Sequence, residues 1–377
     1  MHDRIPTAVF SGGGTGGHLY PALALADALR RERPDVRVVF LGARRGLEAR
    51  VLPDRGEEHR LIPIRGLARG GGIRVNLGVP WALLRSVAGT LRWFRDLHPE
   101  LVVVTGGYAG APAGLAAALM RIPLVLQEQN AYPGITTRLL ARWAREIHVA
   151  YPEAAEFIPK NARGRVRVSG NPVRPPERRG RDMARRAMSL DPSRRTVLVV
   201  GGSQGSAALN RAVTEMVRSA EADPGFQLLW ATGPSHLETV EAALGGAPPW
   251  VHIVGYIVDM AAALEAADLA VSRAGAMATS EFLAWGLPSI LVPLPTAAAD
   301  HQVRNAEALE AAGCAVHVPE SRISGRVLTE TIGALLRDTD RWDAMAAAAR
   351  DRALPHASRE IAHQFLGFLG HGREVTS

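Results

Sequence analysis

Two stretches of the chain are built alike. Ala8-Val-Phe-Ser-Gly-Gly-Gly-Thr-Gly-Gly17 and Val197-Leu-Val-Val-Gly-Gly-Ser-Gln-Gly-Ser-Ala-Ala-Leu-Asn210 each lead from a short apolar run through a glycine turn into a helical pattern. A buried strand, a turn that lets the backbone come close to a ligand, and a helix whose first N–H groups point at it form a seat for an anion. The alternation continues along the chain. Strands are predicted at 7–10, 36–41, 101–104, 123–127 and 146–149, then at 196–200, 226–231, 251–254, 268–271, 288–292 and 315–318, with helices between. That rhythm requires parallel sheets covered by helices on both faces. Gly170-Asn-Pro-Val-Arg-Pro-Pro-Glu-Arg-Arg-Gly180 interrupts it and reads as a domain boundary. The expected fold is α/β, with two Rossmann-like doubly wound domains facing across a cleft.

Gly12, Gly14 and Gly17 also satisfy G-x-G-x-x-G, but the acid that a dinucleotide site needs after the next strand is missing: Val36 to Leu41 runs into Gly42-Ala43-Arg44. A nicotinamide-dependent oxidoreductase is therefore disfavoured. The formal charge of +7 comes almost wholly from arginine and favours an anionic partner. No finger spacing, aromatic single-strand platform or basic helix–turn–helix is visible, so nucleic acid is not expected. A single cysteine, Cys314, excludes an intrachain disulfide and fits a cytosolic setting. No leader pattern precedes the first strand, and the uncharged runs 101–120 and 282–299 are broken by Gly-Gly-Tyr-Ala-Gly and by Pro288, Pro293 and Pro295. No transmembrane span is expected.

The remaining chemistry clusters where strands end. Ser203 and Gln204 offer donors in the second turn. Ser272-Arg-Ala-Gly-Ala-Met-Ala-Thr-Ser-Glu281 opens a helix with small residues, suited to a diphosphate, and Glu281 is placed either to hold a ribose diol or to stand as a solvated glutamate. Gln302 and Asn305, three apart, share a helix face. Glu128-Gln-Asn130 and Tyr108 stand at strand ends of the first half. Asp338-Thr-Asp340 reads as a surface turn, and no His, Cys and carboxylate cluster has metal-ligand spacing. On the helix Ala82 to Arg95, Leu83, Leu84, Val87, Leu91 and Phe94 fall on one arc as a packing face. Ile73, Trp81, Arg85 and Arg92 offer a patch for an anionic membrane surface.

Taken in order, GGGTGGHLYPALALA (12–26), TGGYAGAPAGLAA (105–117), EQNAYPG (128–134), GNPVR (170–174), GGSQGSAALN (201–210), YIVDMA (256–261), SRAGAMATSE (272–281) and DHQVRNA (300–306) resemble the MurG family within glycosyltransferase family 28. The resemblance implies a GT-B fold: a first domain 1–172, completed by a C-terminal helix 356–370, and a second domain 173–355. It implies inverting transfer of N-acetylglucosamine from UDP-GlcNAc to the C4 hydroxyl of the MurNAc of lipid I, giving lipid II in peptidoglycan biosynthesis. Also implied is a peripheral place on the cytoplasmic face of the cell membrane, with partners in the cell-wall machinery. Implied donor contacts are Thr15, Gly16, Gly17, Asn130, Arg174, Ser203, Ile257, the run Ala276, Met277, Ala278, Thr279, Ser280 and Glu281, and Gln302. No cofactor or metal is expected; helix N-termini and Arg174 would supply the positive potential. His18 is the expected base, kept neutral at a helix start, with Glu128 as the alternative. Other readings are a GT-B glycosyltransferase acting on a different lipid or an antibiotic, and a non-catalytic nucleotide-sugar-binding scaffold. Pro295-Thr-Ala-Ala-Ala-Asp300 is less polar than a sugar-contacting loop of the family should be.

Overall fold

The computed structural model describes residues 5–66, 78–220 and 223–370. Ile73 lies outside the described residues. The chain divides into two compact units, one running to Arg174 and resuming at His356, the other Pro175–Pro355.

The first unit contains β1 (Thr7–Ser11), α1 (Gly16–Glu32), β2 (Arg37–Ala43), α2 (Glu48–Asp54), β3 (His59–Ile62), α3 (Val79–Leu97), β4 (Leu101–Val104), α4 (Gly107–Met120), β5 (Leu124–Glu128), α5 (Ile135–Leu140), β6 (Glu146–Val149) and β7 (Val166–Val168). The second contains α6 (Arg181–Ala187), β8 (Arg195–Val200), α7 (Ala207–Arg218), β9 (Phe226–Ala231), α8 (Leu237–Leu244), β10 (Val251–Val254), α9 (Met260–Ala266), β11 (Leu269–Ser272), α10 (Ala276–Trp285), β12 (Ser289–Leu291), α11 (His301–Ala311), β13 (Ala315–His317), α12 (Gly325–Arg337) and α13 (Thr339–Arg352). The last helix, α14 (Ala357–Leu366), returns to the first unit.

Among the described residues the first sheet runs β3-β2-β1-β4-β5-β6-β7 and the second β10-β9-β8-β11-β12-β13, and every pairing is parallel. Parallel strands covered on both faces need continuous apolar runs, and β1, β4, β5, β8 and β9 are buried along all or nearly all of their length. Two edge strands, β3 (His-Arg-Leu-Ile) and β7 (Val-Arg-Val), are absent from the sequence-based strand set. Both are half exposed and carry charge, so they lack the apolar signature. The core of the first unit lies on both faces of its sheet. On one face Phe10 packs against Phe40 at 5.9 Å and edge-on against Phe365 of α14 at 6.0 Å. α14 lies beside α1 and buries Ala357, Ile361, Ala362 and Phe365.

Each sheet changes direction once, between β1 and β4 and between β8 and β11. In open α/β sheets the ligand crevice lies outside the carboxyl ends of the strands at that point. The two glycine turns follow β1 and β8, so the topology puts both at switch points.

Candidate functional site

In the first unit the turn that follows β1 and the start of α4, with its N-cap Gly106, leave adjacent strands and meet. A Cβ on Gly107 (φ +71°) would stand 2.1 Å from the Gly13 carbonyl oxygen, and one on Gly14 (φ +93°) 2.4 Å from the Tyr108 ring. Glycine is required at both positions for space as well as for backbone angle. Thr15 is the N-cap of α1, yet its hydroxyl makes no capping bond; Oγ1 lies 3.1 Å from Nδ1 of His18. The half-buried imidazole thus sits in the first turn of α1, held by the N-cap residue, with its edge against Gly106.

Behind this turn runs a chain of buried polar groups. The Thr105 hydroxyl donates to the His18 carbonyl at 2.7 Å. Gln129 donates Nε2 to the Thr105 carbonyl at 2.9 Å and to Gln127 Oε1. Gln127 donates to Asn171 Oδ1 at 3.0 Å, and Asn171 donates back to the Gln129 carbonyl at 3.1 Å. All four side chains are buried, and such a network fixes one arrangement when fully satisfied. It ties the His18 turn to the segment Gly170–Arg174, where Arg174 stands exposed. Sequence reasoning missed Thr105, Gln127, Gln129 and Asn171 as supports; the only signal was polar residues at buried strand ends.

Glu128, expected as an alternative base, has its lone pairs occupied. Oε1 accepts from the Asn130 amide at 3.1 Å and from Asn130 Nδ2 at 3.3 Å; Oε2 accepts from the Gly134 amide at 3.0 Å and from the Thr137 hydroxyl at 2.6 Å. The geometry makes Glu128 the scaffold of the Asn130–Gly134 loop. The first turn also departs from the expected open anion seat, because the Gly14 amide already donates to Glu48 Oε1 at 3.0 Å. Tyr108 is half-buried, and burial together with the Glu48 charge pushes its phenol above the ordinary range.

In the second unit the turn 201–205 is closed by a bond from the Gly205 amide to the Gly202 carbonyl at 2.9 Å, leaving Ser203 exposed. Ser206 caps α7 through the Leu209 amide at 3.4 Å. Asn210 braces the turn, donating to the Thr232 carbonyl at 2.9 Å and accepting from the Trp230 indole at 3.1 Å. Across the switch point, α10 starts at Ala276 after the N-cap Gly275. Met277, Ala278, Ser280 and Glu281 are half-buried there, while Ala276 and Thr279 are buried. The Thr279 hydroxyl turns back onto the Gly275 and Ala276 carbonyls, both at 3.1 Å. Ile257 is buried between exposed Tyr256 and Val258. The Gln302 carbonyl oxygen accepts from the Leu294 amide at 2.9 Å, which directs its NH2 away from that bond. Arg273, buried, ion-pairs with Glu320 and donates to the Val292 and Pro293 carbonyls, both at 3.2 Å. It fixes the loop before Gln302. Among the described residues no group of three or more His, Cys, Asp or Glu is placed to hold a metal ion.

Residues 8–149 match the glycosyltransferase family 28 N-terminal domain and residues 196–364 its C-terminal domain. A relative from Salinibacter ruber, named UDP-N-acetylglucosamine–N-acetylmuramyl-(pentapeptide) pyrophosphoryl-undecaprenol N-acetylglucosamine transferase, is 42% identical over 374 residues, covering 99% of this chain and all of the relative. The crystal structure of Acinetobacter baumannii MurG superposes with a TM-score of 0.78 at 30% identity, over 96% of this chain and 99% of that one. The chain belongs to the MurG family of glycosyltransferase family 28. The calicheamicin glycosyltransferase CalG4 matches with a TM-score of 0.70 at 18% identity, over 99% of this chain and 100% of that one, and shares the fold alone. The architecture is that of GT-B glycosyltransferases, with MurG-family sequence over both units.

Trp81 and Leu84 of α3 are 64% and 58% exposed, and Arg85, Ala88 and Arg92 are exposed beside them. Leu84 therefore leaves the packing arc expected from helical spacing and joins Trp81 on the outer face. Val87 and Phe94 are buried, with Leu83 and Leu91 packed beside the core. Trp93 is covered by the Arg60 guanidinium at 5.6 Å. Among the described residues no helix is long and apolar enough to cross a membrane.

Proposed function

We propose that the chain transfers N-acetylglucosamine from UDP-GlcNAc to the C4 hydroxyl of the MurNAc of lipid I, with inversion, producing lipid II. The observation that carries the reading is the end-to-end match, at 42% identity, to a relative named for this reaction. The second unit takes the nucleotide: the Ile257 backbone faces uracil, Glu281 the ribose, and Ser203 with the starts of α7 and α10 the diphosphate. Gln302 presents its NH2 to the sugar. From the first unit come Thr15, Gly16, Gly17 and Asn130 for sugar hydroxyls and Arg174 for the diphosphate.

His18 is the proposed base. With its proton on Nδ1, the ring donates to Thr15 Oγ1 and keeps Nε2 as the basic nitrogen. The acceptor oxygen attacks the anomeric carbon as its proton passes to Nε2. The bond from that carbon to the phosphate oxygen breaks, and its electron pair leaves with UDP. Helix N-termini and Arg174 stabilise the developing charge on the diphosphate. No cation has a role in this scheme, so turnover should persist in excess chelator. The exposed face of α3 is the proposed contact with the anionic cytoplasmic membrane surface that carries the acceptor.

Labelled UDP-GlcNAc with lipid I or a short-chain analogue tests the reading: the expected product is the disaccharide lipid. Donor binding without transfer to any acceptor would favour the scaffold, and transfer to an unrelated acceptor alone would favour a different glycosyltransferase.

A further inference from the structure

The two glycine turns differ in what lies under them. Beneath the second, no carboxylate is hydrogen-bonded to an amide of residues 201–206 among the described residues. Beneath the first lies Glu48, the first residue of α2, 1% exposed. Its Oε1 accepts from the Gly14 amide at 3.0 Å and from the Ala43 amide at 3.3 Å. Its Oε2 is buried and accepts no hydrogen bond from the described residues. Cβ atoms on Gly13, Gly42 and Gly46 would stand 1.5, 2.7 and 2.0 Å from this side chain, so three glycines make the space it fills. A buried carboxylate with one oxygen unsatisfied is costly, and a glutamine of the same shape would fill the space without the charge. The charge therefore acts on something other than its own packing, and next to burial it adds to the upward push on the Tyr108 phenol.

We propose that Glu48 converts the first turn from a phosphate cradle into a seat for uncharged sugar hydroxyls. Two effects combine. The Gly14 amide, which an anion would need, is already taken. The carboxylate also offsets the partial positive charge at the start of α1. The amides of Gly16 and Gly17 stay available to neutral acceptors, and the diphosphate is left to the second glycine turn and Arg174. The inference rests on the proposed reaction only in supplying a sugar to the first turn.

The test uses the full chain and inorganic pyrophosphate as probe, following backbone amide shifts of residues 14–18 and 202–206 during titration. In the unaltered protein the second turn should respond saturably and the first should not. In Glu48→Ala, which removes the charge and frees the Gly14 amide, the first turn should gain a saturable response, its affinity rising at least about tenfold. A first turn that responds no less than the second in the unaltered protein overturns the proposal, as does a folded Glu48→Ala whose first turn stays silent. Should that variant fail to fold, the comparison of the two turns in the unaltered protein decides alone. The readout needs no turnover, so failure of the transfer reaction would appear separately, in the labelled-sugar assay.

Discussion

His18 stands in the first turn of α1 and Glu128 ends β5, and their hydrogen bonds differ. His18 has a hydroxyl on Nδ1 and a glycine along its edge, an arrangement suited to a base. His18→Ala should lower kcat by roughly 10²–10⁴-fold with UDP affinity unchanged by calorimetry; a kcat within a factor of two would remove it from the chemistry. Glu128 accepts four hydrogen bonds, and Glu128→Gln must point an NH2 at donors it cannot bond. A loss of about 1–3 kcal/mol in stability is expected, read by denaturant unfolding, and displacement of Asn130 with the loop should raise the KM for UDP-GlcNAc. A base without a structural role would instead leave stability intact. Residues near the glycine turns were legible because the chemistry needs fixed types at fixed spacing. Glu48, Thr105, Gln129 and Asn171 were not, because their partners are mainly backbone groups of turns and segment ends far along the chain, and no spacing encodes that.

At the scale of elements, the buried strands could be read from their apolar runs, whereas β3 and β7 carry charge on sheet edges and merge with loops. α14 is readable as a helix, but its position against Phe10 depends on tertiary packing. Phe365 joins that face to His148, with ring centroids 6.5 Å apart. His148 is 1% exposed, with Nδ1 2.8 Å from the Ser169 hydroxyl and Nε2 3.2 Å from Glu146. Burial holds this imidazole below its ordinary range, Arg167 adding to the effect and Glu146 opposing it. The folded state therefore binds the proton less readily than the unfolded chain, whose histidine titrates near about 6.5. Stability is fully present above that value and declines as pH falls toward the lower folded-state value, by up to about 1.4 kcal/mol per pH unit. Melting temperatures between pH 7 and pH 5 should drop more steeply for the unaltered protein than for His148→Gln; parallel slopes would show that the imidazole does not set the dependence. Phe365→Ala should cost about 3–5 kcal/mol, measured by the same unfolding, if α14 is an integral part of the first core.

For the molecule as a whole, the proposed lipid acceptor raises the question of how a chain without a spanning helix among its described residues would reach a bilayer. The formal charge of +7 draws the protein to an anionic surface at long range, but a diffuse charge does not fix which side faces the lipid. The outer face of α3 can, because it places Trp81 and Leu84 in solvent with Arg85 and Arg92 on the same exposed side. In the proposed contact an amphipathic indole and an aliphatic side chain would enter the headgroup boundary, and each nearby arginine would add about 1 kcal/mol at an anionic surface. The two contributions respond differently to salt. Trp81→Ala combined with Leu84→Ala should weaken binding to anionic vesicles at least about tenfold while leaving its salt dependence in place. Arg85→Gln combined with Arg92→Gln should weaken it mainly at low ionic strength and flatten that dependence. Transfer to a water-soluble acceptor analogue should be unchanged in both. Vesicle sedimentation over a salt series separates the two, and unaltered binding in both double variants would move the membrane contact to another face of the protein.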